Sequence, residues 1–335
     1  MILLLSGGFG LAALIPQPGY GRIARWFNHA FWEGVLLWDL VLPAFVFMVG
    51  VAMPFALARR KELGANFSQI LRHVSWRSLK LILLSQILEW IARGKLQFQL
   101  HTALSQIAFT YFLTFLIVQL RFRWQAMVAG LILAGHWALF VLFPGPDGAF
   151  SRMQNIGAVI DRALFGYNDP DGYVMIHFLG STVTCLFGVW TGALLRTQRT
   201  PAEKAKVLAL AAGAGLVGGK ALALVNPMIK RLWTASFTLY SAGWVLLIML
   251  LFILLIDVWG KKKWAFPFVV VGMNSIFVYS VGAGLGGWVD RSLGVSVGKL
   301  TCESALLPVA GSCAYLLFLW CLCYWLYRRK LFIKL

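Results

Sequence analysis

Charged residues are scarce in this chain of 335 residues, and acidic residues are the scarcest. Lys and Arg number 30 against 12 Asp and Glu, and 60% of the residues are hydrophobic. A soluble domain of this size needs more polar surface than that. The apolar residues run in continuous stretches rather than alternating, which excludes a transmembrane β-barrel. The composition therefore predicts an all-α membrane protein.

Cysteine is also sparse, with only five residues in the chain. Four of the five lie inside or beside apolar stretches, and none has zinc-type spacing to histidine. Histidines are scattered, and neither an HExxH motif nor a pair of histidines four residues apart occurs. We therefore expect no metal site.

The net charge of +18 is carried by short loops between the apolar stretches. This placement is typical of topology signals and of contacts with anionic lipids, so no nucleic-acid binding is expected. Eighteen cations fall in one set of loops and ten in the opposite set. The positive-inside rule makes the richer side cytoplasmic, which places the C-terminus inside and His29 outside. We expect a multi-pass protein of a bacterial inner membrane, in contact with the lipid bilayer.

The apolar stretches predict a polytopic bundle of about ten transmembrane helices. The chain opens at Met1 directly into an apolar run without a basic flank, so we expect a truncated first span rather than a signal peptide. We interpret residues 1–335 as a single membrane domain. The predicted spans are 1–15, 38–58, 78–91, 102–120, 126–143, 177–195, 207–225, 237–258, 266–283 and 303–327.

Four polar side chains stand at the outer mouth of the second predicted span, where ionisable groups are costly. His29 can exchange a proton near neutral pH or act as an acyl nucleophile, the alternative being an interfacial histidine in a loop. Asp39 can orient that histidine or cap the helix. Asn28 can stabilise an oxyanion or form a local turn. Glu33 is a second carboxylate at the same rim and a candidate for binding substrate.

A cluster of cations on the predicted inner side is a candidate cofactor site. Arg and Lys beside Trp76 are suited to a phosphorylated cofactor with a base that can stack, and contact with lipid is the alternative. The candidate residues are Arg59, Arg60, Arg77 and Lys80.

Three further polar or aromatic residues lie late in the chain. Asn274 is an amide inside an apolar stretch, and it either joins two helices or contacts the cofactor. Trp233 and Thr234 are placed at an outer boundary, where they suit contact with a sugar or anchoring at the interface.

Six stretches, in this order, resemble the heparan-α-glucosaminide N-acetyltransferase family and cover nearly the whole chain. They are "FNHAFWEGVLLWDLVLPAFVFMVGVAMPFALARR", "WRSLKLILL", "IDRALFGYNDPDG", "LFGVWTGALLR", "KRLWTASFTLYSAGW" and "FPFVVVGMNSIFVY". The resemblance implies acetyl transfer from cytoplasmic acetyl-coenzyme A to an amino sugar or glycan on the far side of the membrane. It also implies that His29 is the catalytic histidine, and it matches Asp39 and Asn274 to the family pattern.

Two other function classes fit the sequence. A transporter or flippase for a glycan or lipid precursor would also contain kinked spans with polar groups inside the membrane. A membrane scaffold without catalytic activity is the third class. The oligomeric state is open, with a homodimer among the alternatives.

Overall fold

A computed structural model describes residues 25–94, 97–282 and 307–332, and among these every regular element is helical. Short 3₁₀ turns, Leu37–Leu40 and Met175–His177, lead into α1 and α6, and a π-helical turn extends α8. The helices are α1 Val41–Glu62, α2 Phe67–Arg93, α3 Ala103–Ile117, α4 Phe122–Leu142, α5 Ile156–Phe165, α6 Phe178–Leu195, α7 Pro201–Leu222, α8 Ala235–Ile253, α9 Phe266–Gly272, α10 Ser275–Gly282 and α11 Leu307–Arg328.

Five helical stretches are long and apolar enough to cross a membrane, so the chain is a helical membrane protein. A sixth span results if α9 and α10, which meet at a bend of 63°, are taken as one. The described residues therefore support five or six spans and not the ten predicted. The five are Leu37–Glu62, Phe122–Leu142, Met175–Leu195, Pro201–Leu222 and Ala235–Val258.

Two of the remaining predicted spans are helices that are too polar or too short to meet the requirements for a membrane span. The span predicted at 78–91 is part of α2, whose many polar and charged residues make it less apolar than the five spans. The span predicted at 102–120 is the 15-residue α3, about 22 Å long against a hydrocarbon core of roughly 30 Å. The last predicted span corresponds to α11. The first, at 1–15, lies outside the described residues.

Helix α6 is the centre of the bundle. It packs along α1 on one side, and α3 and α4 flank it on the others, while α7 pairs with α8 and α2 with α3. The most apolar window of the α6 span is 61% buried, against 22% for the α4 and α7 spans. Helices α4 and α7 therefore present most of their surface to lipid.

Backbone contact between α1 and α6 depends on glycine. A Cβ atom on Gly188 would lie 2.0 Å from the Phe47 carbonyl oxygen, and one on Gly50 would lie 2.0 Å from that of Cys185. Gly188 and Gly192 form a Gly-x-x-x-Gly pattern, which lets transmembrane helices approach closely. This contact fixes α1, and with it the polar residues at each of its ends.

Polar side chains line the interface that α2, α3 and α6 share. The Ser78 hydroxyl donates to the Ala108 carbonyl over 3.1 Å, and Thr110 and Ser181 bond to each other. Gln106 is 1% exposed, and its Nε2 has no hydrogen-bond partner among the described residues. We call this interface the polar seam. Half-buried Thr102 bonds to Ser85 in the same interface. The other buried members are Ser85, Gln86, Ser105, Thr114, Thr182 and Thr184.

Candidate functional site

Three loops cover one end of the bundle, the end that the charge distribution predicts to lie outside. The His29 loop comprises residues 25–36, which precede α1. The long loop, 143–174, joins α4 to α6 and contains α5. The Lys230 loop, 223–234, joins α7 to α8.

Hydrogen bonds tie the three loops together. Trp32 Nε1 in the His29 loop donates to the Phe150 carbonyl in the long loop over 2.9 Å. The Gly34 amide donates to the carbonyl of Met228 in the Lys230 loop, also over 2.9 Å. Because residues far apart in sequence meet here, the His29 loop has a defined position at the mouth of the bundle.

His29 and Asp39 form the pair that the sequence predicts. His29 Nδ1 lies 2.8 Å from Asp39 Oδ1. The second oxygen, Oδ2, accepts the amides of Ala30 and Leu36, each over 3.0 Å. Asp39 is 1% exposed, whereas 39% of the His29 side chain is exposed. A buried, fully bonded carboxylate thus holds one side of an accessible imidazole.

Lys230 is a third member of this site that sequence reasoning missed. Its Nζ lies 3.2 Å from Asp39 Oδ1 and 3.0 Å from His29 Nδ1. The lysine is only 7% exposed. Nothing in the local sequence could reveal this contact, since 191 residues separate Lys230 from Asp39. Its position in an outer loop was the sole signal.

The hydrogen bond to Asp39 determines which nitrogen of the His29 ring carries the proton. A carboxylate oxygen only accepts, so the nitrogen 2.8 Å away from it carries a proton. In the neutral ring the other nitrogen, Nε2, then has a free lone pair. No hydrogen bond to Nε2 occurs among the described residues. This arrangement equips Nε2 to act as a base or as a nucleophile.

Asn28 and Glu33 lie beside this pair without joining it. The Asn28 side-chain oxygen accepts the His29 amide over 2.8 Å, which is the local turn considered as its alternative. Its amide nitrogen donates to no partner among the described residues. Glu33 is exposed, and it forms no ion pair in the described part of the chain. Their roles in stabilising an oxyanion and binding substrate stay predictions.

Trp233 and Thr234 lie inside the protein. Each is 0% exposed. Trp233 Nε1 donates to the Thr184 hydroxyl over 3.1 Å, and the Thr234 hydroxyl donates to the Pro227 carbonyl over 2.7 Å. Both side chains therefore shape the Lys230 loop from within. The prediction that they bind substrate is not supported by any surface that they present.

A second cluster of ionisable groups anchors the long loop. His101 Nε2 lies 3.1 Å from Asp169 Oδ1. Burial alone would raise the pKa of Asp169, but the hydrogen bond and charge of His101 lower it below its ordinary value. Among the described residues Asp161 accepts the Met175 amide and no side-chain donor, and burial raises its pKa to about 6.

The opposite end of the bundle brings the predicted inner cations together. Arg60 NH2 lies 2.7 Å from His73 Nε2. The Arg77 guanidinium lies over the Tyr111 ring, 4.9 Å from its centroid. Burial lowers the pKa of His73, and the charges of Arg60, Arg77 and Lys80 lower it further. Three of the four predicted cations therefore surround one histidine.

A cleft of about 800 Å³ runs along α2 beside these cations. It is lined by Arg72, His73 and the exposed ring of Trp76, among others. None of the four predicted cations is among its lining residues, and the guanidinium beside the indole there is that of Arg72. A guanidinium beside an indole suits a phosphate and a base. Arg59 is exposed at the end of α1.

Asn274 lies at the bend between α9 and α10. Its Nδ2 donates to the Leu331 carbonyl over 3.2 Å, just beyond the end of α11. This contact fits the helix-joining alternative considered for this residue. A contact with the cofactor stays a prediction.

Comparison with known proteins identifies distant relatives, although no protein-family model matches the chain. The chain is similar to the heparan-alpha-glucosaminide N-acetyltransferase of Homo sapiens, with 26% identity over 329 residues, 78% of this chain and 49% of the relative. The Mus musculus protein of the same name is 25% identical over 339 residues, 81% of this chain and 51% of the relative. The chain thus spans about half the length of the curated relatives it matches. These matches support a distant relationship to that family.

Proposed function

We propose that this chain is a membrane-embedded acyltransferase that acetylates an amino sugar or glycan. The donor is acetyl-coenzyme A at the cytoplasmic face of a bacterial inner membrane, and the acceptor binds at the outer face. One observation carries the proposal: His29 and Asp39 form a bonded pair with Nε2 free, in a chain related to N-acetyltransferases. The cytoplasmic C-terminus is part of the same proposal.

The geometry of His29 supports two chemical courses. In the first, Nε2 removes a proton from the acceptor amine as that amine attacks the thioester carbonyl, and it returns the proton to the departing thiolate. In the second, Nε2 itself attacks the carbonyl, the carbon–sulfur bond breaks and the thiolate leaves. The amine then attacks the acetyl group on Nε2, which frees the ring, and the amine proton passes to the thiolate. Asp39 stabilises the positive charge on the ring in both courses. The Asn28 amide is our candidate donor to the carbonyl oxygen.

The donor would bind at the other end of the bundle. Arg59, Arg60, Arg77 and Lys80 are the candidates for binding the phosphates of the coenzyme, and Trp76 for stacking on its base. The polar seam leads from this end toward the outer loops, and it offers hydrogen-bonding groups to an amide-containing arm. The seam is therefore the route we propose for the thioester.

The test is transfer of radiolabel from acetyl-coenzyme A to glucosamine by protein in lipid nanodiscs. His29→Ala should lower the rate by roughly 10²–10⁴-fold, the usual contribution of a general base. Lys220→Ala is the control, because Lys220 is exposed and contacts only the Tyr240 ring among the described residues. The proposal fails if wild-type protein labels no amine or hydroxyl acceptor. It also fails if His29→Ala transfers label as fast as the wild type.

A further inference from the structure

We propose that Lys230 is a positioning residue that keeps His29 neutral, with its proton on Nδ1 and its lone pair on Nε2. The value of this role for catalysis rests on the proposed acyl transfer, because attack or proton removal by the ring requires a free nitrogen. The protonation state itself can be measured without any activity.

Two donors and one acceptor meet where His29, Asp39 and Lys230 come together. Lys230 Nζ has protons to donate and no lone pair to accept with. His29 Nδ1 also donates, since it faces the Asp39 carboxylate at 2.8 Å. Two donors cannot bond to each other. The 3.0 Å between Nζ and Nδ1 therefore results from both groups bonding to the same oxygen, Asp39 Oδ1.

Asp39 and Lys230 together are neutral, and both are buried. A second proton on His29 would add a positive charge beside the Lys230 ammonium group. Among the described residues, no carboxylate other than Asp39 contacts His29 to offset that charge. Like charges at this distance disfavour the charged ring. Without the lysine, Asp39 would be a buried carboxylate lacking a countercharge, and His29 would take up a proton to supply one.

The backbone imposes this position on Lys230. The Trp233 amide donates to the Lys230 carbonyl over 3.0 Å, in a turn where Trp233 has a φ of 54°. This left-handed conformation is costly for a bulky residue and persists only where its surroundings enforce it. The buried Trp233 ring, whose Nε1 donates to Thr184, holds this conformation. Gly180 leaves room for it, because a Cβ atom there would lie 2.2 Å from the Trp233 carbonyl oxygen.

The neighbouring residue holds the other side of the site. Arg231 donates to the carbonyls of Ala30 and Phe31, over 3.1 and 2.7 Å. Its charge is thus directed at the backbone of the His29 loop and not at the imidazole. The Tyr173 ring lies 5.9 Å from Lys230 Nζ. Asp39 and Lys230 are therefore the charged side chains that contact His29 in the described part of the chain.

The experiment is nitrogen NMR of the full chain in lipid nanodiscs at pH 7.5, with ¹⁵N-labelled histidine. His29→Ala assigns the His29 signals by their loss. Wild-type protein and Lys230→Arg should show a neutral ring protonated on Nδ1. Lys230→Gln keeps a donor for Asp39 but removes the charge, and more than half of its His29 should be imidazolium. Lys220→Gln is the matched control and should resemble the wild type.

Two results would overturn the inference. One is a neutral, Nδ1-protonated ring in folded Lys230→Gln, and the other is imidazolium in Lys230→Arg. If Lys230→Gln does not fold, the double variant Asp39→Asn/Lys230→Met decides, because it leaves no buried carboxylate that needs a countercharge. Its His29 ring should be neutral, and imidazolium there would refute the electrostatic argument.

Kinetics then separate this inference from the proposed function. Lys230→Gln should lower kcat for acetyl transfer at least tenfold at pH 7.5 while KM for acetyl-coenzyme A stays within twofold, and Lys230→Arg should restore kcat. An unchanged kcat in a variant with a protonated ring would overturn the role of Lys230 in catalysis. If wild-type protein transfers no acetyl group, the proposed function fails, and the NMR result still decides the protonation state.

Discussion

Replacing Asp39 by Asn tests the outer site most directly, because the carboxylate accepts from four donors. His29 Nδ1 and Lys230 Nζ contact Oδ1, and the amides of Ala30 and Leu36 bond to Oδ2. An asparagine side chain has one accepting oxygen and one donating nitrogen. In either orientation two of the four donors would face an NH₂ group. In addition, the ammonium group of Lys230 would be buried without a countercharge.

Removing one partner of a buried ion pair costs about 3–5 kcal/mol. For a chain of this size that corresponds to a fall in melting temperature on the order of 10 °C. The assay is thermal unfolding in detergent, followed by loss of the monodisperse peak in size-exclusion chromatography. Glu33→Gln is the matched control, since this exposed carboxylate lies in the same loop. Its substitution should change stability by less than about 0.5 kcal/mol.

The double variant Asp39→Asn/Lys230→Met makes the test specific for the ion pair. Because both charges are removed together, most of the lost stability should return. The reasoning is refuted if Asp39→Asn melts within 2 °C of wild type, taken as about 1 kcal/mol or less. It is equally refuted if the double variant is as unstable as Asp39→Asn alone.

Three further predictions concern other parts of the molecule. The pKa of Asp161 is raised to about 6, so the stability linked to its proton is present below its ordinary pKa and lost as pH rises through about 6. Asp161→Asn should therefore increase the free energy of unfolding at pH 7.5 by up to about 3 kcal/mol, which is measured as a higher melting temperature. This gain should vanish near pH 4. Asp169→Asn should do the opposite at pH 7.5, because the pKa of Asp169 is lowered by His101; equal effects of the two variants would contradict the assignment. Gly188→Ala should destabilise the protein by about 1–3 kcal/mol. Gly130→Ala is the control and should not destabilise it, because nothing lies within 4 Å of the new Cβ. Melting curves followed by size-exclusion chromatography compare the two variants. Arg77→Gln should raise KM for acetyl-coenzyme A roughly tenfold, the value of one charge-assisted hydrogen bond, without altering KM for glucosamine. A change in the KM for glucosamine alone would show that Arg77 does not bind the donor.

The sequence predicted most of the long helices, but it assigned more membrane spans than the described residues support and did not predict the short helix α5. Hydropathy identifies α1, α4, α6, α7 and α8, because each contains a long apolar window. It fails for α2 and α3, where one helix is too polar and the other too short to meet the same criterion. An apolar run reports only that a segment avoids water, and burial among other helices satisfies that requirement as well as lipid does.

The candidate site divides in the same way. His29 and Asp39 are ten residues apart and flank the start of one helix, so their pairing could be predicted from local sequence. Lys230 joins them through a contact between loops, and only the packing of α7 and α8 determines it. The glycines that let α1 approach α6 were visible as a Gly-x-x-x-Gly pattern. What the pattern does not specify is the partner helix, which the structure provides.

The length of helix α1 sets the distance between the proposed donor site and the proposed acceptor site. Asp39 stands two residues before its start, and Arg59 and Arg60 lie in its last turn. Twenty residues at about 1.5 Å each place these ends roughly 30 Å apart, the thickness of a hydrocarbon core. The contact with α6 locks this length, because neither helix can slide without a collision between backbones. An insertion of one helical turn in α1 would therefore move the proposed donor site away from the proposed acceptor site, although no residue of either site would be replaced.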